Sequence, residues 1–223
     1  MADRSIILAI DLGTSASKAA LIAPDGQVAA EASAGYTTSF GPKGEVEQSP
    51  EDWWDATCRV ARACVEGRGW DVVALALTGQ MQDLIVLAGG RALGPAILYS
   101  DQRAVAEAEA MHRAVPPEEF ARVTANLADA TSLPAKLLWL RRYEPERYRQ
   151  AERLLFGAHD FAAWRMTGSA VTDLTTASTT GLLAFDAGDW ATGLLARLGL
   201  RADWLPELHP VDRPVGRLTA EAA

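Results

Sequence analysis

The fold is decided by residues 6–15, which read IILAIDLGTS. The first part of this stretch is aliphatic and rich in β-branched side chains, a pattern that predicts a buried strand. Asp11 ends the run, and Gly13 allows the backbone to turn tightly. Thr14 and Ser15 then add hydroxyl groups. We therefore expect a strand that carries a carboxylate and a polar turn at its tip.

Two further strands are predicted directly after this turn. They cover residues 18–23 and 27–32, and Pro24-Asp25-Gly26 forms the turn between them. Strands joined by connections this short must be antiparallel neighbours, because parallel neighbours need a long crossover. Later strands are predicted at residues 72–77, 84–87 and 154–156. The predicted fold class is α/β, with a mixed sheet that contains an antiparallel meander and is flanked by helices.

A helix start follows at Ser49-Pro50-Glu51-Asp52. Serine is a preferred N-cap, proline fits the first helical turn, and carboxylates favour the positive end of the helix dipole. The helical spacing of the next residues predicts a buried face made of Trp54, Thr57, Cys58, Ala61 and Val65. Further helices are predicted at residues 103–112, from residue 116, and at 135–143, 160–166 and 190–198.

Composition and charge exclude several classes of protein. The chain has 223 residues, 49% of them hydrophobic, which suits one sizeable domain or two small ones with a real core. A net charge of −8 argues against a nucleic-acid partner, because nucleic-acid-coating proteins present a cationic face. The apolar run of the first strand is too short to span a membrane, so no membrane partner is expected. The sequence leaves homo-oligomer formation open.

Neither the cysteines nor the histidines form a recognisable site. Cys58 and Cys64 lie six positions apart on the predicted helix, which places them on different faces and argues against a mutual disulfide. Reduced core cysteines are typical of the cytoplasm, which is the expected location. His112, His159 and His209 are scattered along the chain, and we expect no catalytic dyad or metal site from them.

The turn after the first strand has the residues that a phosphate group needs. Glycine lets successive backbone N–H groups face one concavity, and hydroxyl and ammonium groups add donors. A carboxylate at this position could hold Mg²⁺ or its water shell, which phosphoryl transfer requires. The predicted phosphate-binding residues are Asp11, Gly13, Thr14, Ser15 and Lys18, with Asp11 as the metal ligand. The alternative interpretation is a plain hairpin turn with a solvated aspartate.

Several segments resemble those of the FGGY carbohydrate kinases, most closely the xylulokinases. Residues 9–18 (AIDLGTSASK) resemble the opening of the family, and residues 78–82 (TGQMQ) resemble its sugar-site loop. The other similar segments are residues 47–54, 95–103, 134–139 and 165–168. Because they occur in the order of the family, together they are more specific than any one motif. The resemblance implies a ribonuclease-H-like (actin-like ATPase) fold in two lobes.

The resemblance also implies a sugar site. Its residues would be Gln80, Met81, Gln82, Asp83, Asp101 and Arg103. A polyol is recognised by donors and acceptors aimed at neighbouring hydroxyls, and these side chains supply both. The alternative for Arg103 is an exposed helix-start residue paired with Asp101. Xylulokinases usually carry histidine and glycine where this chain has Gln82 and Asp83, so the identity of the sugar is open; residues 131–133 also fit the family signature poorly.

The activity that the resemblance implies is ATP-dependent phosphorylation of a sugar or polyol hydroxyl, with xylulose as the nearest ketopentose. ATP and Mg²⁺ would be the cofactors. Residues 1–223 would form the N-terminal sugar-binding domain, and the family's C-terminal domain, which binds ATP and supplies the aspartate that acts as catalytic base, would be absent from this chain. Two alternatives are a non-catalytic sugar sensor or assembly module, and a fragment of an actin-like or chaperone-type ATPase.

Overall fold

The computed structural model describes residues 5–223 and contains both strands and helices. The strands are β1 (Ser5–Leu12), β2 (Ala16–Ile22), β3 (Val28–Gly35), β4 (Ser39–Phe40), β5 (Val46–Gln48), β6 (Asp71–Gly79), β7 (Met81–Ala88), β8 (Arg91–Ala92), β9 (Ala96–Ile97), β10 (Arg153–Gly157), β11 (Val171–Thr172), β12 (Leu183–Ala184), β13 (Asp189–Trp190) and β14 (Glu207–Leu208). The helices are α1 (Pro50–Val65), α2 (Val105–Ala114), α3 (Pro117–Thr124), α4 (Leu133–Tyr143), α5 (Pro145–Gln150), α6 (Ala158–Thr167), α7 (Leu174–Ser178) and α8 (Thr192–Arg197), with a 3₁₀ turn at Phe185–Ala187. The predicted α/β class is confirmed.

The first sheet has the strand order β3-β2-β1-β6. β1, β2 and β3 form the predicted antiparallel meander, and β6 lies parallel to β1 on its other side. The sheet is therefore mixed, as predicted. Its register places Asp11 of β1 opposite Lys18 of β2 and Thr78 of β6. The polar residues at the ends of β1 and β6 thus meet at one edge of the molecule.

The second sheet has the order β10-β7-β9-β5-β4, with β8 paired to β7. β7 is its central element, and its side chains from Asp83 onward are buried on both faces. Alternate residues of β7 join two different hydrophobic clusters. Leu84 and Val86 pack with Phe120, Leu137 and Phe156, among others, in one cluster. Ile85 and Leu87 pack in the other cluster with residues from β1, α1 and α6, which are Ile10, Leu12, Trp53, Val60 and Phe161.

Helix α1 begins as predicted, but its buried face was predicted one position out of place. The hydroxyl of Ser49 accepts from the backbone N–H of Asp52, and Pro50 occupies the first turn. The buried side chains are Pro50, Trp53, Ala56, Thr57, Val60 and Cys64, whereas of the predicted set only Thr57 is buried. Successive residues are about 100° apart around a helix, so an error of one position rotates the predicted buried face by about 100° from the observed one. Trp53 is the indole that faces inward, because its N–H has a buried acceptor.

Cys58 is half-buried and Cys64 is buried, and neither forms a disulfide within the described part of the chain. Among residues 5–223, no helix combines the length and the apolar character that a bilayer crossing requires.

Candidate functional site

The predicted phosphate-binding residues come together in the β1–β2 connection, here called the phosphate turn (residues 11–18). The backbone N–H of Gly13 donates to the carbonyl of Ala16 at 3.1 Å, which closes the turn. The side chains of Asp11, Thr14, Ser15 and Lys18 are exposed at this edge. Asp11 and Lys18 are directly opposite each other in the strand register. A carboxylate, an ammonium group and hydroxyls are thus available to a ligand at one place.

Tyr36 is a member of this region that the sequence did not reveal. Its hydroxyl donates to the carbonyl of Gly13 at the phosphate turn. Burial raises the pKa of Tyr36 well above its usual range, and the negative charges of Asp11 and Asp83 raise it further. The hydroxyl therefore lies within electrostatic reach of both predicted loops. Tyr36 belongs to an irregular segment with no motif of its own, so no sequence signal pointed to it.

The predicted sugar-site residues 80–83, here called the sugar loop, are Gln80, which connects β6 to β7, and the first three residues of β7. Gln80 joins them directly to the end of β1. The backbone N–H of Gln80 donates to the carbonyl of Leu12 at 2.8 Å, and the carbonyl of Gln80 accepts from the N–H of Ala158 at 3.1 Å. Met81 is half-buried. Gln82 has a φ of 67°, in the left-handed region that non-glycine residues seldom adopt. Strained backbone of this kind is concentrated at ligand sites.

Asp83 is the innermost residue of the sugar loop and is fully buried. Its Oδ1 accepts from the backbone N–H of Tyr99 at 3.0 Å, and its Oδ2 has no hydrogen-bond partner among residues 5–223. Burial raises the pKa of Asp83 to about 8, although the Tyr99 N–H and the charge of Lys136 oppose the rise. The neutral carboxyl is therefore favoured below this pH, and a neutral carboxyl can donate as well as accept.

Lys136 is a buried residue whose positive charge acts on the Asp83 carboxyl. Its ammonium group donates to the carbonyl of Leu98 at 2.6 Å, and the whole side chain is buried. Burial lowers the pKa of Lys136 to about 8, while the charges of Asp83 and Asp101 act in the opposite direction. The low dielectric of the site thus disfavours charge on both Asp83 and Lys136.

Asp101 and Arg103 form a buried ion pair. The guanidinium of Arg103 also contacts Oε1 of Glu47 at 2.7 Å, and its carbon lies 4.8 Å from the ring centre of Trp139. Asp101 additionally accepts from the backbone N–H of Val46 at 2.6 Å. The pairing considered in the alternative interpretation of Arg103 is present, but the exposure it assumed is wrong, because the Arg103 side chain is 4% exposed. These contacts hold the segment after β9 against β5.

His159 is part of a cluster that the sequence analysis missed. Its Nε2 lies 3.1 Å from Oγ1 of Thr176, 3.4 Å from Oδ1 of Asp160 and 3.6 Å from Oδ2 of Asp173. The sequence did not predict these contacts, because no catalytic dyad or metal site was expected from this histidine. Burial lowers the pKa of His159, but the two carboxylates outweigh burial and the pKa is raised overall.

The carboxylates of the cluster also support the backbone. Asp173 caps α7 by accepting from the N–H groups of Thr175 and Thr176 at 2.7 and 3.0 Å, and Asp160 accepts from the N–H of Phe156 at 3.2 Å. Burial raises the pKa of Asp160 to about 6. One ligand atom from each of His159, Asp160 and Asp173 lies within 4.8 Å of the others, so the group could hold a cation. Its existing hydrogen bonds give it a structural role at the β10–α6 junction.

Comparisons with known proteins agree with this architecture. The model of the FGGY family of carbohydrate kinases, N-terminal domain, matches residues 6–223. The xylulose kinase of Escherichia coli (strain K12) is 35% identical over 218 residues, which cover 97% of this chain and 44% of that protein. A glycerol kinase of Bradyrhizobium sp. (strain ORS 278) is 34% identical over 228 residues, covering 97% of this chain and 45% of that protein.

Solved structures show the same fold. A xylulose kinase from Rhodospirillum rubrum superposes with a TM-score of 0.91 at 28% identity, over 97% of this chain and 45% of that one. A gluconate kinase from Lactobacillus acidophilus gives a TM-score of 0.91 at 26% identity, over 98% of this chain and 44% of that one. The chain spans less than half the length of the relatives it matches. Because the family model matches nearly the whole length of this chain, the chain belongs to the FGGY family of carbohydrate kinases.

Proposed function

We propose that this chain is the N-terminal, sugar-binding lobe of a kinase that transfers a phosphoryl group from ATP to a hydroxyl of a sugar or polyol. The observation that carries the proposal is the junction of the two predicted loops. The sugar loop is hydrogen-bonded to the last residue of β1 at 2.8 Å, and the phosphate turn begins at the same strand end. An acceptor hydroxyl and a transferred phosphoryl group would be brought together here.

The phosphate turn suits a phosphate that is bound together with a metal ion. Mg²⁺ is usually held by one or two carboxylates, with its remaining positions filled by water and phosphate oxygens. The exposed carboxylate of Asp11 fits that pattern, and the hydroxyls of Thr14 and Ser15 beside it can donate to phosphate oxygens. Bound Mg²⁺ would supply the positive charge that stabilises phosphoryl transfer. Lys18, opposite Asp11, would add a second cation.

The substrate class proposed is a small polyol or ketose, with xylulose as the first candidate. Curated relatives of the chain include xylulose kinases and glycerol kinases. Met81 and Gln82 are the half-buried residues of the sugar loop, so they would contact the substrate directly. Asp83 and Asp101 are fully buried, so they would act from beneath the pocket unless the loop opens. The proposed two-lobed enzyme would be cytoplasmic and would receive its catalytic base from the second lobe.

The test is sugar-dependent ADP formation by the full-length product of the gene, measured with D-xylulose, glycerol and gluconate. Asp11→Asn should lower the rate by about 100-fold or more, because it removes the charge that would hold Mg²⁺. Asp186→Asn makes the same change at an exposed position far along the chain, and it should leave the rate unaltered. A thermal-shift screen of the chain with the same compounds would identify the class that binds.

Each contrary outcome has a distinct meaning. Binding of a polyol without any ADP formation would contradict the kinase proposal and favour a non-catalytic sugar sensor. Strong ATP binding that no polyol alters would indicate an actin-like or chaperone-type ATPase. Equal activity of Asp11→Asn and Asp186→Asn would remove Asp11 from the site.

A further inference from the structure

The side chain of Gln48 lies between the phosphate turn and the sugar loop. It is the last residue of β5 and is 2% exposed. Its Nε2 donates to the carbonyl of Thr14 at 2.7 Å and to Oγ1 of Thr38 at 2.6 Å. Its Oε1 accepts from Nε1 of Trp53 at 2.7 Å and from Nε2 of Gln80 at 2.8 Å. Both N–H groups and both lone pairs of this amide are therefore in use.

The identity of the partners fixes which way the amide points. An indole N–H can only donate, so the oxygen of Gln48 must face Trp53 and the nitrogen must face Thr14. The same logic then orients Gln80, whose nitrogen must face the oxygen of Gln48. The oxygen of Gln80 points elsewhere and has no partner within residues 5–223. The indole N–H of Trp53, on the buried face of α1, thus fixes the orientation of the Gln48 amide and, through it, that of the Gln80 amide. Gln80 is the first residue of the sugar loop.

We propose that Gln48 is a positioning residue that holds the phosphate turn at a fixed distance and orientation from the sugar loop. The proposal rests on the proposed function, in which the phosphoryl group and the acceptor hydroxyl meet between these two segments. Gln48 is buried, so it acts through Thr14 and Gln80 rather than on the reacting atoms. Phosphoryl transfer depends on placement, and an error of about 1 Å can lower the rate on the order of 100-fold.

The substitution Gln48→Glu separates the two sides of the amide. A carboxylate has nearly the same shape and can still accept from Trp53 and Gln80, but it cannot donate to Thr14 or Thr38. In the full-length gene product, kcat with D-xylulose should fall by roughly 10- to 100-fold, because the phosphate turn is released. KM for D-xylulose should stay within about threefold, because the contact to the sugar loop is kept. The difference in kcat between Gln48→Glu and the unsubstituted protein should become smaller at lower pH, because a protonated carboxyl regains one hydrogen-bond donor.

The control is Gln27→Glu, which makes the same chemical change on an exposed side chain at the β2–β3 turn. Its kcat and KM should match those of the unsubstituted protein. If Gln48→Glu also keeps kcat unchanged and only lowers the melting temperature, Gln48 is a structural core residue and the proposal is wrong. If Gln48→Glu does not fold, Thr38→Val provides a milder test, since it removes one acceptor and should lower kcat by a smaller factor with KM unchanged; an unchanged kcat there overturns the proposal.

A second measurement keeps this proposal separate from the proposed function. Amide hydrogen exchange on the 223-residue chain reports the N–H groups of Gly13 and Gln80, which bond to Ala16 and Leu12. In Gln48→Glu, exchange at Gly13 should quicken while exchange at Gln80 changes little. If the unsubstituted protein forms no ADP with any sugar, the kinase proposal fails, and the exchange pattern alone decides whether Gln48 holds the turn. Equal exchange at Gly13 in both proteins would show that it does not.

Discussion

The guanidinium of Arg103 donates to the carboxylate of Asp101 through Nε at 3.0 Å and Nη2 at 2.7 Å, and both side chains are buried. The same Nη2 also reaches Glu47, so one cation joins two acidic residues from different segments. Burial of this pair is costly unless every charge has its partner. The arrangement therefore stabilises the fold only as a complete unit, and it is sensitive to the loss of any member.

Loss of the cation should be strongly destabilising. Arg103→Met leaves the buried Asp101 without a counter-charge, and we expect a loss of about 3–5 kcal/mol in the free energy of unfolding. Urea denaturation followed by circular dichroism measures this. Arg149→Met removes an exposed pair with Glu146 and should cost less than about 1 kcal/mol. Equal losses in the two variants would show that the Arg103 pair is not effectively buried.

The raised pKa of Asp83 predicts a pH-dependent stability. Its pKa is about 8 in the folded protein, against an ordinary value of 3.8, so the folded state keeps a proton that the unfolded state releases between these two pH values. Wild-type stability therefore falls as pH rises through this window, and the contribution is fully present only below it. Asp83→Asn cannot ionise and still offers an oxygen to the Tyr99 N–H. Between about pH 5 and 8, the free energy of unfolding of Asp83→Asn should rise relative to that of the wild type by at most about 1.4 kcal/mol per pH unit.

Parallel urea titrations of wild type and Asp83→Asn at several pH values measure the difference. A difference that stays constant with pH would mean that Asp83 ionises normally in the folded protein.

The left-handed backbone at Gln82 predicts an unusual order of substitutions. Glycine adopts this conformation without steric cost, whereas a β-branched residue is strained there. Gln82→Gly should therefore be more stable than Gln82→Val by about 1–3 kcal/mol. Thermal unfolding of the two variants tests this. A valine variant as stable as the glycine variant would mean that the loop relaxes to an extended backbone.

The carboxylate of Asp173 should control the charge of His159. In Asp173→Asn, the side-chain oxygen can still cap α7, but the negative charge is lost. The pKa of His159 should then fall, because burial is opposed by one fewer carboxylate. An NMR titration of the imidazole signals measures the shift. Because a raised pKa stabilises the fold below the unfolded value and ceases to do so as pH rises through the folded value, the substitution should cost more stability at about pH 5 than at about pH 8. No change in the His159 titration would assign its raised pKa to Asp160 alone.

The parts of the fold that sequence predicts are those with local causes. Short turns force the antiparallel meander, and a serine and a proline fix the start of α1. The predicted phosphate turn and sugar loop are contiguous motifs, so the sequence alone proposes their residues, and the binding roles of those residues stay predictions. That these motifs lie side by side follows from the parallel pairing of β1 with β6, which a strand-by-strand interpretation does not provide.

The missed features depend on contacts between distant segments. Adjacent indoles at Trp53 and Trp54 fit a helical stripe about equally well, and the structure buries Trp53 against Phe161 of α6. His159 and Asp173 belong to different elements and meet only because α6 packs beside β11. Burial of Asp83 likewise depends on the strands and helices around β7. The local sequence around this aspartate does not indicate that its side chain is buried.

Strand β7 is common to the two hydrophobic clusters, because its alternate side chains enter each of them. Neither cluster can open without exposing one face of that strand to water. The parts of the domain that are built around the two clusters should therefore unfold as one cooperative unit rather than as separate foldons. The residues proposed to contact the substrate stand at the start of β7, and the rest of that strand is buried in both clusters. Their conformation therefore depends on packing throughout the core and not on local sequence alone.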